Sequence, residues 1–179
     1  GSSAMECHRV WPTGPDSPDD DSLQAFFQGL EMSAEEYGEL FGTDPAETKK
    51  PTAEKEALPV LGAAVAMIGA RWVMYYATTP TGQRYIGITS NFAARRLSHL
   101  SKGLTGIQEL NQFGRMNYFS AKALEQKMIE LGGGPGVLGN RINSISSRNP
   151  LYGQAMNTAT SMVNHLKNCG ASPPPGIIW

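Results

Sequence analysis

Residues 72–89, "WVMYYATTPTGQRYIGIT", constrain the fold more tightly than any other part of the chain. Two runs rich in Tyr, Val, Ile and Thr, residues 72–79 and 83–89, flank Pro80-Thr81-Gly82. Aromatic and β-branched residues on both sides of a short glycine-containing loop specify an antiparallel hairpin. A three-residue loop at 80–82 makes residue 79 face residue 83, which sets Tyr75 opposite Gly87 and Ala77 opposite Tyr85. Side chains alternate across a sheet, so Tyr75 and Tyr85 share a face as diagonal neighbours. Gly87 leaves a gap beside Tyr75 where a backbone or ligand can approach. Ser90 or Asn91 can cap a following helix that runs through Arg95, Arg96 and His99 to about Lys102. Arg95 and His99 are four apart and lie on one side of that helix. Each of the four residues alone reads as sheet packing or a solvated helix residue. Together they read as a site.

The flanking sequence divides readily. Residues 1–5, Gly-Ser-Ser-Ala-Met, have the look of an expression scar. Residues 6–59 form an acidic lead-in and linker: Pro12, Pro15, Pro18 and Asp19-Asp20-Asp21 predict a poorly ordered start. A short helical pattern follows from Leu23 to Phe41, with Ser33 and Glu36 placed as a capping box. The folded domain is expected over residues 60–168, beginning with an Ala- and Gly-rich helix at 60–70. A third strand is expected at 115–119, "RMNYF", then a helix over 121–131 capped by Ser120 and ended by Gly132-Gly133-Gly134-Pro135-Gly136. Residues 137–150 read as an Asn- and Ser-rich loop, 151–167 as a final helix, and 169–179 as a Pro-rich tail.

The apolar run 57–70 falls short of the ~20 residues that a membrane-spanning helix needs, so it reads as a core element. Cys7 and Cys169 imply no disulfide framework, and together with His8 and His165 they match no zinc-site spacing.

A net charge of −1 conceals a strong polarity. Residues 1–60 carry 13 acidic and 4 basic side chains; residues 61–179 carry 3 acidic and 11 basic ones. Such asymmetry points to an acidic tail on a segment that meets a polyanion.

The hairpin and helix residues resemble those of the GIY-YIG nuclease superfamily. The first name-giving tripeptide is degenerate here, Val73-Met74-Tyr75, and the second is intact, Tyr85-Ile86-Gly87. Arg95 matches the family's helix arginine, His99 its second histidine or tyrosine, Glu125 its helix glutamate and Asn140 a later asparagine. The position three after the second tyrosine, lysine in repair-type relatives, is Ile88 here. "ALEQKMIE…LGNRINSIS…NPLY" further resembles the GIY-YIG domains at the C-terminal ends of bacterial polymorphic toxins. This resemblance implies an α+β fold, a small three-stranded antiparallel sheet flanked by helices. It also implies a DNA endonuclease, with RNA as the alternative substrate, secreted and delivered into the cytoplasm of a competitor cell. A cognate immunity protein is the implied partner, and no membrane association is expected.

The chemistry can be read beside the resemblance. Phosphodiester hydrolysis builds charge on phosphoryl oxygens, which the Arg95 guanidinium fits bidentately. Residues 61–179 contain no aspartate and only Glu109, Glu125 and Glu130. A two-metal site needs several converging carboxylates, so a single Mg²⁺ on Glu125, with Mn²⁺ as a substitute, fits this composition better. Tyr75 is expected to take the proton from water with help from His99, and Tyr85 to orient water or phosphate, or the reverse. Arg84, Arg96, Lys102, Arg115, Lys122, Arg141 and Arg148 are expected to contact phosphates along the substrate. A catalytically idle binding module, an RNase with the same site and a pore former built on 57–70 are the competing readings. The acidic lead-in adds one more expectation, that it folds over the substrate face and competes with phosphates.

Overall fold

The hairpin forms in the register that its loop dictates. Strand β1 (Val73–Thr78) pairs antiparallel with β2 (Arg84–Thr89), Tyr75 facing Gly87 and Ala77 facing Tyr85. The Thr79 amide donates to the Gln83 carbonyl across the turn, and Gly82 closes it at φ +83°, a left-handed conformation that glycine adopts without a Cβ penalty. The computed structural model describes residues 20–30, 32–41, 70–140 and 143–179. The helix expected at 60–70, the linker 42–59 and Arg141 therefore fall outside the described residues, apart from Ala70 itself.

The protein is an α+β fold. Two short helices, α1 (Asp20–Gln28) and α2 (Ala34–Phe41), precede the hairpin. Helix α3 (Phe92–Ser101) follows it, capped by Asn91, whose side chain accepts from the Ala94 amide. Strand β3 (Thr105–Glu109) then returns to β1, giving the antiparallel order β2-β1-β3. A 3-10 turn, helix α4 (Tyr118–Leu131) and helix α5 (Tyr152–Asn168) complete the chain.

The third strand is not the one expected. Residues 115–119 contribute a single antiparallel bridge, Met116 to Trp72. Asn117 then caps α4 by accepting from the Ser120 amide at 2.8 Å, which draws Tyr118 and Phe119 into the helix and leaves Ser120 inside it. The cap outcompetes the β propensity of two aromatic residues. β3, "TGIQE", buries only Ile107, and its pairing with β1 slips between Tyr76 and Thr78. Such a strand has no alternating signature to read. Cys169 is disulfide-bonded, which corrects the reading of the cysteines. A disulfide sulfur is not a thiolate, so Cys169 is no zinc ligand.

Alternation along β1 and β2 builds two layers. Met74, Ile86 and Ile88 enter the main core with Trp72, with Phe119, Leu124 and Met128 of α4 and with Ala159 and Leu166 of α5. Tyr75, Ala77 and Ile107 form a second cluster on the opposite face, against Tyr85, Phe92 and Leu104. Phe26, Phe27 and Leu30 from α1 and Leu40 from α2 are buried in the main core, so the acidic lead-in is part of the packed body over these residues. Strand β2 lies at the sheet edge, where side chains from both layers can meet around it.

Candidate functional site

A cavity of about 1000 Å³ opens around that edge. Tyr85 of β2, Arg95 and His99 of α3, and Lys122 and Glu125 of α4 all line it. The residues that the sequence separates by forty positions are thus gathered by one hairpin and the two helices flanking it.

Tyr75 stands behind these groups with no exposed surface. Its hydroxyl lies 2.7 Å from His99 Nε2 and accepts from Arg95 Nη1 at 3.1 Å. With its oxygen engaged by Arg95, the hydroxyl hydrogen goes to Nε2, which assigns the neutral His99 tautomer with its proton on Nδ1. Burial, with Arg95 and Lys102 nearby, lowers the His99 pKa to about 4, so the ring is neutral at pH 7. Burial pushes the Tyr75 hydroxyl well above its ordinary range despite Arg95. The expectation that Tyr75 itself meets water is therefore corrected: Tyr85 is the tyrosine that faces the cavity, and Tyr75 aligns Arg95 and His99 from behind. Tyr85 is also kept neutral, by burial and the Glu125 charge.

The His99 shift has a measurable consequence. The folded pKa lies below the unfolded value near 6.5, so the unfolded chain binds the proton first as pH falls. The stability contributed by neutral His99 is present above pH 6.5 and is lost as pH falls toward 4. Thermal melts across this window should show a smaller drop for His99→Gln than for the wild type.

Arg95 donates Nη1 to the Ile88 carbonyl and Nη2 to Glu39, each at 3.1 Å. Burial opposes its charge, but Tyr75 and Glu39 more than offset that and hold it protonated. Arg95 Nε and His99 Nδ1 are buried with no hydrogen-bond partner among the described residues. Two unmet donors on adjacent side chains suit an acceptor-rich ligand.

Glu125 accepts from Ser144 Oγ and lies 3.7 Å from Lys122 Nζ. Burial raises its pKa against the opposing pull of Lys122. Lys122 is buried between Glu125 and Glu36, the latter at 2.8 Å, and the two carboxylates keep it charged against the cost of burial. It belongs to the cavity wall, which corrects its expected place on an open phosphate track. Lys102 lines the cavity mouth, whereas Arg84, Arg96, Arg115 and Arg148 are exposed away from it.

Asn140 also lines the cavity. Its side chain donates to the Ile86 carbonyl at 2.7 Å and accepts from the Ile86 amide at 3.1 Å. It thus mimics a neighbouring strand along the β2 edge, and both amide ends serve the fold. Gly87 leaves no open gap either, since the Tyr75 ring already fills the space in front of it.

Glu39, Ser144 and the Glu36 carboxylate also contact the site residues, and no local sequence pattern marks them. The Ser33 hydroxyl caps α2 through the Glu36 amide as expected, but the Glu36 carboxylate turns away to accept from Tyr118 and Lys122. Among the described residues no group of three or more His, Cys, Asp and Glu side chains is placed to hold a metal ion, and no helix is long and apolar enough to cross a membrane. Comparison with protein-family models, with curated proteins and with solved structures returns no match.

Proposed function

We propose that this protein is a metal-dependent endonuclease of the GIY-YIG type that hydrolyses DNA phosphodiesters. The observation that carries the reading is the shared Tyr75 hydroxyl, held by His99 and Arg95 behind a cavity wall that also bears Tyr85, Lys122 and Glu125. An acceptor-rich anion fits the unmet Arg95 Nε and the charged Lys122, and phosphoryl oxygens are such acceptors.

The donor set suits one hydrated hard cation on the Glu125 carboxylate, with the Ser144 hydroxyl and Asn143 nearby in the wall. It does not suit an ion held directly by three protein carboxylates. When bound, Mg²⁺ or Mn²⁺ would supply charge stabilisation at the phosphoryl group and a more acidic water. The chain's own residues would do the rest. The Tyr85 hydroxyl orients the attacking water, and its ring lies beside that of Tyr75 with centroids 6.2 Å apart. A proton leaving the water onto Tyr85 can displace the Tyr85 proton to Tyr75 and the Tyr75 proton to His99 Nε2. Both tyrosines stay neutral throughout, as their raised pKa values require. Arg95 takes the charge that develops on phosphorus-bound oxygens.

The toxin reading rests on the resemblance of residues 123–152 alone, with an immunity protein as its implied partner. Expression in a bacterial cytoplasm should stop growth, and a Glu125→Ala chain should not.

The direct test is digestion of duplex DNA, single-stranded DNA and tRNA by pure protein, each with Mg²⁺ and with EDTA. Cleavage is expected for DNA and should vanish on chelation. Cleavage of tRNA alone would move the substrate to RNA, and unchanged cutting in EDTA would refute the metal.

A further inference from the structure

One helix of the lead-in places its carboxylates on the cations of the cavity. Within α2, Glu35 pairs with Lys102 at 3.2 Å, Glu36 with Lys122 at 2.8 Å and Glu39 with Arg95 at 3.1 Å. The first pair is exposed and contributes little. The other two are buried, and Glu39 is held by more than its charge. Its Oε1 accepts from the Thr89 hydroxyl at 2.6 Å, and its Oε2 accepts from the Ser90 amide at 3.2 Å as well as from Arg95. A hydroxyl, a backbone N–H just before the Asn91 cap of α3 and a guanidinium are donors of the kind that a phosphate takes. Arg95 Nε is buried beside them without a partner, so the cradle has one more donor than a carboxylate uses.

We propose that Thr89, Ser90 and Arg95 form a phosphate-binding cradle in which Glu39 is a resident stand-in, and that Glu36 occupies Lys122 in the same manner. A substrate phosphate must displace these carboxylates to enter. That the phosphate belongs to a nucleic-acid strand rests on the nuclease reading above; the cradle itself does not. Leu40 of α2 and Leu30 just before it are buried in the core, so the opening motion is rotation of the two glutamate side chains with the helix left in place. The acidic lead-in is thereby a specificity device: it makes weak, singly charged anions poor ligands and reserves the cations for a polyanion.

The test uses the full chain as wild type, Glu36→Gln/Glu39→Gln and a control, Glu109→Gln, whose charge lies on β3 outside the cavity. Calorimetric titration with inorganic pyrophosphate should give about tenfold or tighter binding for the double variant, in line with the strength of charge-assisted contacts. The control should match the wild type. Adding Thr89→Val should take the gain back, which a general loosening of the fold would not do. If the double variant does not fold by circular dichroism, Glu39→Gln alone carries the same prediction. Equal or weaker pyrophosphate binding in a folded variant would overturn the proposal. Tighter binding with no cleavage of any nucleic acid would keep the cradle and remove the nuclease reading. Cleavage without tighter binding would do the reverse.

Discussion

The Glu125→Ala protein should lose at least about a thousandfold in DNA cleavage while remaining folded, since a bound cation and its carboxylate stabilise the transition state by several kcal/mol. The position is favourable for such a test. Glu125 lies within α4, where alanine is the best helix former, and Lys122 keeps Glu36 as a partner at 2.8 Å. The Ser144 hydroxyl loses its acceptor, a cost of about 1 kcal/mol, but a carboxylate whose pKa burial has raised is removed as well. The melting temperature should therefore move little while the rate collapses. Arg95→Ala is the less clean variant. It also removes the cation paired to Glu39, leaving that largely buried carboxylate only the Thr89 hydroxyl and the Ser90 amide, a loss on the order of 1–3 kcal/mol. Glu125→Ala cutting at the wild-type rate with Mg²⁺ would show that the carboxylate has been given the wrong role.

That this test can be framed from the sequence reflects what short-range patterns encode. The turn length fixed the hairpin register, and register with alternation fixed which tyrosines meet. Their ring centroids lie 6.2 Å apart. Helical spacing placed Arg95 beside His99, and their meeting with Tyr75 followed. What was not legible depends on competition between local signals or on distant packing. Asn117 claimed Tyr118 and Phe119 for a helix although both favour strands. Ile107 alone marked β3, too little for a periodicity to show.

Asn140 matched a motif position, yet only the edge placement of β2 makes its amide a surrogate strand. Lys122 read as a surface charge because nothing local shows that Glu36, 86 positions earlier, lies against it. The charge imbalance did signal that the two halves attract one another, without saying which carboxylates reach which cations. The mechanistic roles of the tyrosines depended on exposure, which their spacing does not give. Tyr75 is sealed and Tyr85 is not.

Gly87→Ala should be among the most damaging single-methyl changes at the described residues. A Cβ at this position would fall inside contact distance of Cζ, the hydroxyl oxygen and Cε1 of Tyr75, and the ring has nowhere to go. Tyr85, Phe92 and His99 surround it with ring centroids at 6.2, 6.1 and 5.4 Å, and its hydroxyl is fixed by His99 and Arg95. Overpacking of this kind costs about 1–3 kcal/mol, and each lost hydrogen bond adds about 1 kcal/mol. For a chain of this size that is a fall of roughly 5–15 °C in melting temperature at ~2–4 °C per kcal/mol. Cleavage should fall with it, because a displaced Tyr75 no longer aligns Arg95. Second-site changes identify the cause. Tyr75→Phe removes the hydroxyl oxygen but keeps the ring carbons that the new methyl strikes, so it should give only partial relief. Tyr75→Ala removes the ring, and adding Gly87→Ala to it should then cost almost nothing further. A coupling of about 1–3 kcal/mol in that double-mutant cycle is the expected size for residues in direct contact. Additive effects would mean that the glycine is required by the strand and not by the tyrosine.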